Sequence, residues 1–167
     1  MQLSDFIKLV VSELDGKEMP TGKTAIQKIV YLTLREEQRN EWYKPYFYGP
    51  YSEIVQRNIN SLEYKKEISY SGEGYSVDLS EESEKSEVTD RFKKIEEFLI
   101  TNDIKDLKSI SNLTKIHILK HQNNVNEIED IKLRSTILNW DTIFSLSDSD
   151  IKGIQDKVEA FDKLEFN

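Results

Sequence analysis

Residues 42–52 read WYKPYFYGPYS, with two prolines and one glycine set among six aromatic side chains. Proline fixes φ and donates no backbone hydrogen bond, so Pro45 and Pro50 forbid a continuous helix here. The stretch predicts a short strand over residues 46–48, then a rigid Gly49-Pro50 corner. Ser52 is a preferred N-cap, and Glu53 complements the helix dipole in the first turn. The corner therefore aims a helix over residues 52–62.

Working upstream, Leu3, Phe6, Ile7, Val10, Val11 and Leu14 recur at helical spacing, with Ser4 as the expected cap. Asp15, Gly16 and Pro20 interrupt that pattern. A longer helix is expected over residues 23–39, with Ile26, Ile29, Val30 and Leu34 on one face and Arg35 and Arg39 at its end. Downstream, apolar residues alternate over 68–70 and 75–79 around the SGEG turn at 71–74, which predicts a β-hairpin. The charged run at 80–87 reads either as a linker or as the first turns of the next helix.

From Val88 onward the pattern is helical. Val88, Phe92, Ile95 and Leu99 form one stripe, and Leu107, Ile110, Leu113, Ile116 and Leu119 suggest others. Residues 126–140 form a further candidate. Ser147 or Asp148 caps a last helix through Ile151, Ile154, Val158 and Phe161. The expected class is mainly α with a small β-hairpin (α+β). A winged helix-turn-helix-like domain over 1–80 precedes a helical domain over 81–167.

The stretch AIQKIVYL at 25–32, followed by YFYGPYS at 46–52 and then a hairpin, resembles the YwgA-like winged-helix proteins of bacteria and archaea. It is similar, more distantly, to the Panacea domain of antitoxins. The matching positions are Ile26, Gln27, Lys28, Ile29, Tyr31 and Leu32, then Tyr48, Gly49, Pro50, Tyr51 and Ser52. The resemblance covers about residues 3–80. It implies a winged-helix fold, and through the antitoxins it implies binding of a partner protein at least as much as of DNA.

In a winged helix one helix enters the major groove and the hairpin follows the backbone. With Ile54, Val55, Ile59 and Leu62 facing the core, the opposite stripe of helix 52–62 is Glu53, Gln56, Arg57 and Asn60. Gln and Asn can pair with adenine and Arg with guanine, so Gln56, Arg57 and Asn60 are the candidate base-reading residues. Lys65 and Lys66, beside the wing at 66–79, are the candidate phosphate contacts. The expected partners are thus double-stranded DNA or a protein such as a toxin or regulatory protein, with a homodimer compatible with either. The aromatic cluster has two readings as well: stacking on single-stranded bases, or alternate members packed in the core.

Charge weighs against a DNA-only role. The 167 residues carry a formal charge of -8. Residues 1–80 hold 10 basic against 12 acidic side chains, and residues 81–167 hold 13 against 19. Phosphate would be repelled by the second half. The leading expectation is a non-enzymatic regulatory binding protein, a winged-helix transcriptional regulator or antitoxin-type protein contacting DNA with helix 52–62 and the wing 66–79. The alternative is an acidic protein-protein interaction module or adaptor that neutralises a partner protein and has no nucleic-acid role.

No catalytic constellation emerges, and no cofactor is expected. There is no cysteine, which removes disulfides and thiolate chemistry and suits a cytoplasmic address. Thr21-Gly22-Lys23-Thr24 echoes a phosphate-binding loop, but Gly16 is one position too early and no strand precedes it. His117 and His121 lie at i and i+4, a spacing able to hold a metal ion. With no third ligand apparent, they read as a solvated or partly buried pair. Asp130 and Lys132 mimic half of a nuclease signature without its strands. No apolar run reaches the length of a membrane helix, and no signal peptide is visible.

Overall fold

The N-terminal periodicity produces α1 (Leu3–Asp15), which buries Phe6, Ile7, Leu9, Val10, Val11 and Leu14 on one face. The computed structural model describes residues 1–77 and 86–166. Gln2, not Ser4, stands at the N-cap of α1, and its side chain makes no capping bond. Next comes α2 (Lys23–Thr33), buried at every position from 25 to 33. A helix buried on all sides belongs at the centre of a core.

The helix expected over 23–39 is instead two. Leu34 and Arg35 take extended backbone angles, and α3 (Glu36–Trp42) starts afresh. Two features explain the break. Leu34 is buried in the core, and Arg91 donates from Nε to the Thr33 carbonyl (2.9 Å) and from Nη2 to the Leu34 carbonyl (3.3 Å). Carbonyls freed at the helix end thus keep partners.

The expected strand at 46–48 is half of a hairpin. β1 (Lys44–Tyr46) pairs antiparallel with β2 (Gly49–Tyr51), with Tyr46 opposite Gly49 and Phe47-Tyr48 forming the turn. Gly49 takes φ +104, the positive angle that the two aromatic turn residues do not adopt. Ser52 caps α4 (Glu53–Tyr64) through the Val55 N–H, as expected. Beyond it, β3 (Ser69–Tyr70) and β4 (Tyr75–Ser76) form the second hairpin, closed by Ser71 N–H donating to the Gly74 carbonyl at 3.0 Å. The Tyr75 N–H donates to the Thr21 carbonyl at 3.1 Å, which ties this hairpin to the segment before α2.

The strand expected over 75–79 continues into residues 78–85, which lie outside the described residues. The same holds for most of the charged run at 80–87 and for the domain boundary expected at residue 80. Ser86 caps α5 (Glu87–Thr101). The long α6 (Leu107–Asn123) is buried from 110 to 119 and packs against α2. Residues 126–140 yield only α7 (Ile128–Ile137). Asn139, with φ +58, ends it ahead of the short α8 (Asp141–Phe144). Ser147 caps α9 (Asp148–Asp162) through the Asp150 N–H.

The described residues are thus mainly α with two small antiparallel hairpins. One cluster of buried side chains runs from Phe6 to Phe161, drawing on both halves of the sequence. No helix among the described residues is long and apolar enough to cross a membrane.

Candidate functional site

Three surfaces carry chemistry: the outer face of α4 with the β3–β4 hairpin, the tip of the β1–β2 hairpin, and a polar cluster between α6 and α9.

The aim of α4 is set from inside the core. Gln27 of α2 donates from Nε2 to the Ser52 carbonyl (2.9 Å) and accepts from the Ser52 N–H at Oε1 (3.1 Å). The Tyr43 hydroxyl donates to the Gln27 carbonyl at 2.8 Å. Val55, Ile59 and Leu62 then face the core, whereas Ile54, expected there, is 43% exposed. The reason is rotational. The three buried residues repeat at i, i+4 and i+7, and Ile54 lies one residue, about 100°, off that stripe.

The candidate base-reading residues share one face but engage each other. Gln56 Nε2 donates to Asn60 Oδ1 at 2.9 Å. Arg57 pairs with Glu53 at 3.3 Å. Lys65 forms the C-cap of α4 and Lys66 follows at φ +59; both are exposed. Among the described residues no carboxylate pairs with either lysine. Yet Glu53 and Glu63 lie on α4, Glu67 in the turn after it and Glu73 in the hairpin, with Glu63 paired to Lys23 (3.5 Å) and Glu67 to Lys8 (3.0 Å), and no basic residue stands between Ser69 and Ser76.

The aromatic cluster divides. Tyr43 is buried, but Tyr46, Phe47 and Tyr48 are 53%, 60% and 72% exposed. The expectation that alternate members pack inside fails at the turn, which projects beyond the core. The tip is held stiffly. Trp140, itself buried, donates from Nε1 to the Tyr46 carbonyl at 2.6 Å, and Tyr46 packs on Phe47 and Tyr51 with centroids 4.7 and 5.4 Å away.

The third cluster joins elements far apart in sequence. His117 is buried and His121 half-buried, one turn apart on α6, with rings stacked 4.2 Å between centroids. Asp162 at the end of α9 accepts from His121 Nε2 at 3.0 Å (Oδ1) and from Lys120 Nζ at 2.7 Å (Oδ2). Its Oδ1 lies 3.3 Å from His117 Nε2. The Tyr31 hydroxyl lies 2.7 Å from His117 Nδ1, and Arg39 Nη1 lies 3.3 Å from Nε2. At Nε2 the two neighbours make opposite demands: Asp162 only accepts and calls for a proton there, whereas Arg39 only donates and calls for a lone pair. With Asp162 satisfied, Nε2 carries the proton, Nδ1 accepts from Tyr31, and Arg39 makes no hydrogen bond to the ring. Burial pushes the His117 pKa down to about 4, keeping the ring neutral. Burial alone would raise the Asp162 carboxyl, but hydrogen bonds from His117, His121 and Lys120 hold it well below the usual carboxylate range. Of the two expected alternatives the histidines are the partly buried pair, and Asp162 is the third polar partner that spacing could not reveal. Both nitrogens of His117 have polar neighbours inside the protein, Tyr31 at Nδ1 and Asp162 at Nε2.

One buried cation was also not singled out by sequence reasoning. Lys28 is 2% exposed, and among the described residues no hydrogen bond or ion pair reaches its ammonium. Burial, with the nearby Lys115 charge adding, pushes its pKa down to about 7. Its place in the AIQKIVYL stretch was the available signal, since every neighbour in that helix is buried.

No protein-family model, curated protein or solved structure matches this chain.

Proposed function

We propose that this chain is a non-enzymatic regulatory binding protein of the winged-helix kind, and that its partner is a protein docked on the β1–β2 aromatic tip. The observation that carries this reading is the tip itself. Three consecutive large aromatic side chains stand in solvent on a backbone pinned by Trp140 and Gly49. Aromatic residues presented on a rigid support are the side chains that most often dominate binding energy, because little conformational entropy is lost when they dock. Exposed apolar surface of this kind marks interaction sites.

The α4 face supports the same choice by its charge. Nucleic-acid affinity rests mainly on Lys and Arg neutralising phosphates. Here Arg57 is already paired with Glu53, and acidic residues share the helix and hairpin with Lys65 and Lys66. Direct DNA reading by Gln56, Arg57 and Asn60 is the second reading. It is favoured by one feature: the two lysines have no carboxylate partner among the described residues.

The two readings separate in a low-salt affinity purification from the native host. The wild type is compared with Phe47→Ala/Tyr48→Ala and with Arg57→Ala/Lys66→Ala. A stoichiometric protein that is lost only with the aromatic pair is the expected result. Nuclease-sensitive nucleic acid lost with the basic pair would overturn the reading.

A further inference from the structure

We propose that His117, His121 and Asp162 form a binding site for one divalent transition ion of the zinc class, joining α6 to α9. One ligand atom from each residue can be chosen so that all lie within 4.8 Å of one another. The Asp162 carboxylate sits nearer than that, its Oδ1 3.3 Å from His117 Nε2 and 3.0 Å from His121 Nε2. Zinc takes nitrogen and oxygen ligands at about 2.0–2.2 Å in tetrahedral array, which sets neighbouring ligand atoms roughly 3.3 Å apart. The distances from Asp162 to both imidazoles are already of that size. Two histidines at i and i+4 with one carboxylate is moreover a donor set that zinc uses when a fourth position stays open.

The surroundings meet the other requirements of a built site. Tyr31, buried and packed edge-on against both Tyr43 and His117, fixes the orientation of the His117 ring through Nδ1. Such a partner on the second ring nitrogen is the usual support for a metal-binding histidine. With the ion on Nε2, the imidazole proton moves to Nδ1 and is donated to the Tyr31 oxygen. Lys120 bonds Asp162 through Oδ2, which leaves Oδ1 turned toward both imidazoles. Entry is available through a cleft of ≈ 460 Å³ bordered by Arg39, His121, Phe161 and Asp162.

Two cations oppose the ion: the Lys120 ammonium on Asp162 Oδ2, and more directly Arg39. Arg39 Nη1 lies 3.3 Å from His117 Nε2, so the guanidinium must withdraw when metal binds. Arg39 is half-buried at the edge of the same cleft, which gives it somewhere to go. Its removal should tighten binding.

The test uses the untagged full-length chain, stripped with chelator and titrated with Zn²⁺ by calorimetry. Histidine side-chain NMR is followed in the same samples, and the chain's only two histidines make assignment direct. One ion per chain, with the ring nitrogen signals of both histidines displaced, is expected. Tyr31→Phe keeps the packing and should weaken binding by about 10–100-fold; His121→Asn should weaken it further, and Arg39→Ala should strengthen it. The inference is overturned if the wild type takes up no zinc, or if zinc binds while both imidazole signals stay fixed. Because that readout is made on the wild type, a variant that fails to fold leaves the test intact.

Discussion

The side-chain amide of Gln27 grips both the N–H and the carbonyl of Ser52, at 3.1 and 2.9 Å, with all groups buried. Ser52 is the N-cap of α4, so a residue in the central helix sets where α4 begins. Removing the amide leaves a buried N–H without its partner, which costs about 1–3 kcal/mol. Gln27→Ala should therefore lower the midpoint of thermal unfolding by about 2–4 °C for each kcal/mol lost. An unchanged midpoint would show that the grip contributes nothing.

Gly49 occupies a backbone angle that L side chains rarely adopt. A Cβ there would also lie 3.1 Å from Lys115 Cγ. Gly49→Ala should cost about 1–2 kcal/mol from the backbone term alone. The loss is read by urea unfolding at neutral pH. Gly22, with open space around its Cβ position, serves as the control.

Lys28 makes stability depend on pH on the alkaline side. Its folded pKa, about 7, lies below the ordinary 10.5, so the unfolded chain binds the proton more tightly. The contribution is fully present above pH 10.5 and is lost as pH falls toward 7. Stability should therefore rise from pH 7 to 10 in the wild type, an upward slope that Lys28→Met removes. At pH 7 the same variant should gain on the order of a few kcal/mol. Urea unfolding at both pH values checks this, and equal slopes in the two proteins would refute it.

His117 acts in the same sense on the acid side. Burial holds its pKa near 4 in the folded protein against an ordinary 6.5. Stability from the neutral ring is complete above pH 6.5 and lost as pH falls toward 4. An NMR titration of the ring signals should find a midpoint close to 4. A midpoint at 6 or above would contradict the buried Tyr31–His117–Asp162 arrangement.

Local signals were legible where they rest on neighbours in sequence. The N-caps at Ser52 and Ser147, the second hairpin, and the buried face of α1 all follow from spacing and capping chemistry. What escaped depends on distant partners. The break at Leu34 is supported by Arg91, more than 50 residues away, and nothing in residues 23–39 marks it. The β1–β2 turn carries aromatic residues instead of the Asn-Gly type that announces a hairpin, and Gly49 absorbs the positive φ one residue later. The histidine pair was visible at i and i+4. Asp162 was not, because only the packing of α9 on α6 brings it there. The stripe of Glu53, Gln56, Arg57 and Asn60 was located on the face turned away from the core, but its internal pairing through Glu53–Arg57 and Gln56–Asn60 is a matter of side-chain geometry.

The proposed partner meets the aromatic tip and not the α4 stripe. The most direct measurement places a photo-crosslinking amino acid at position 48 or at position 57 of the full chain and irradiates cells of the native host. One discrete protein adduct from position 48 and none from position 57 is the expected result. Nucleic-acid adducts from position 57, with position 48 silent, would contradict it.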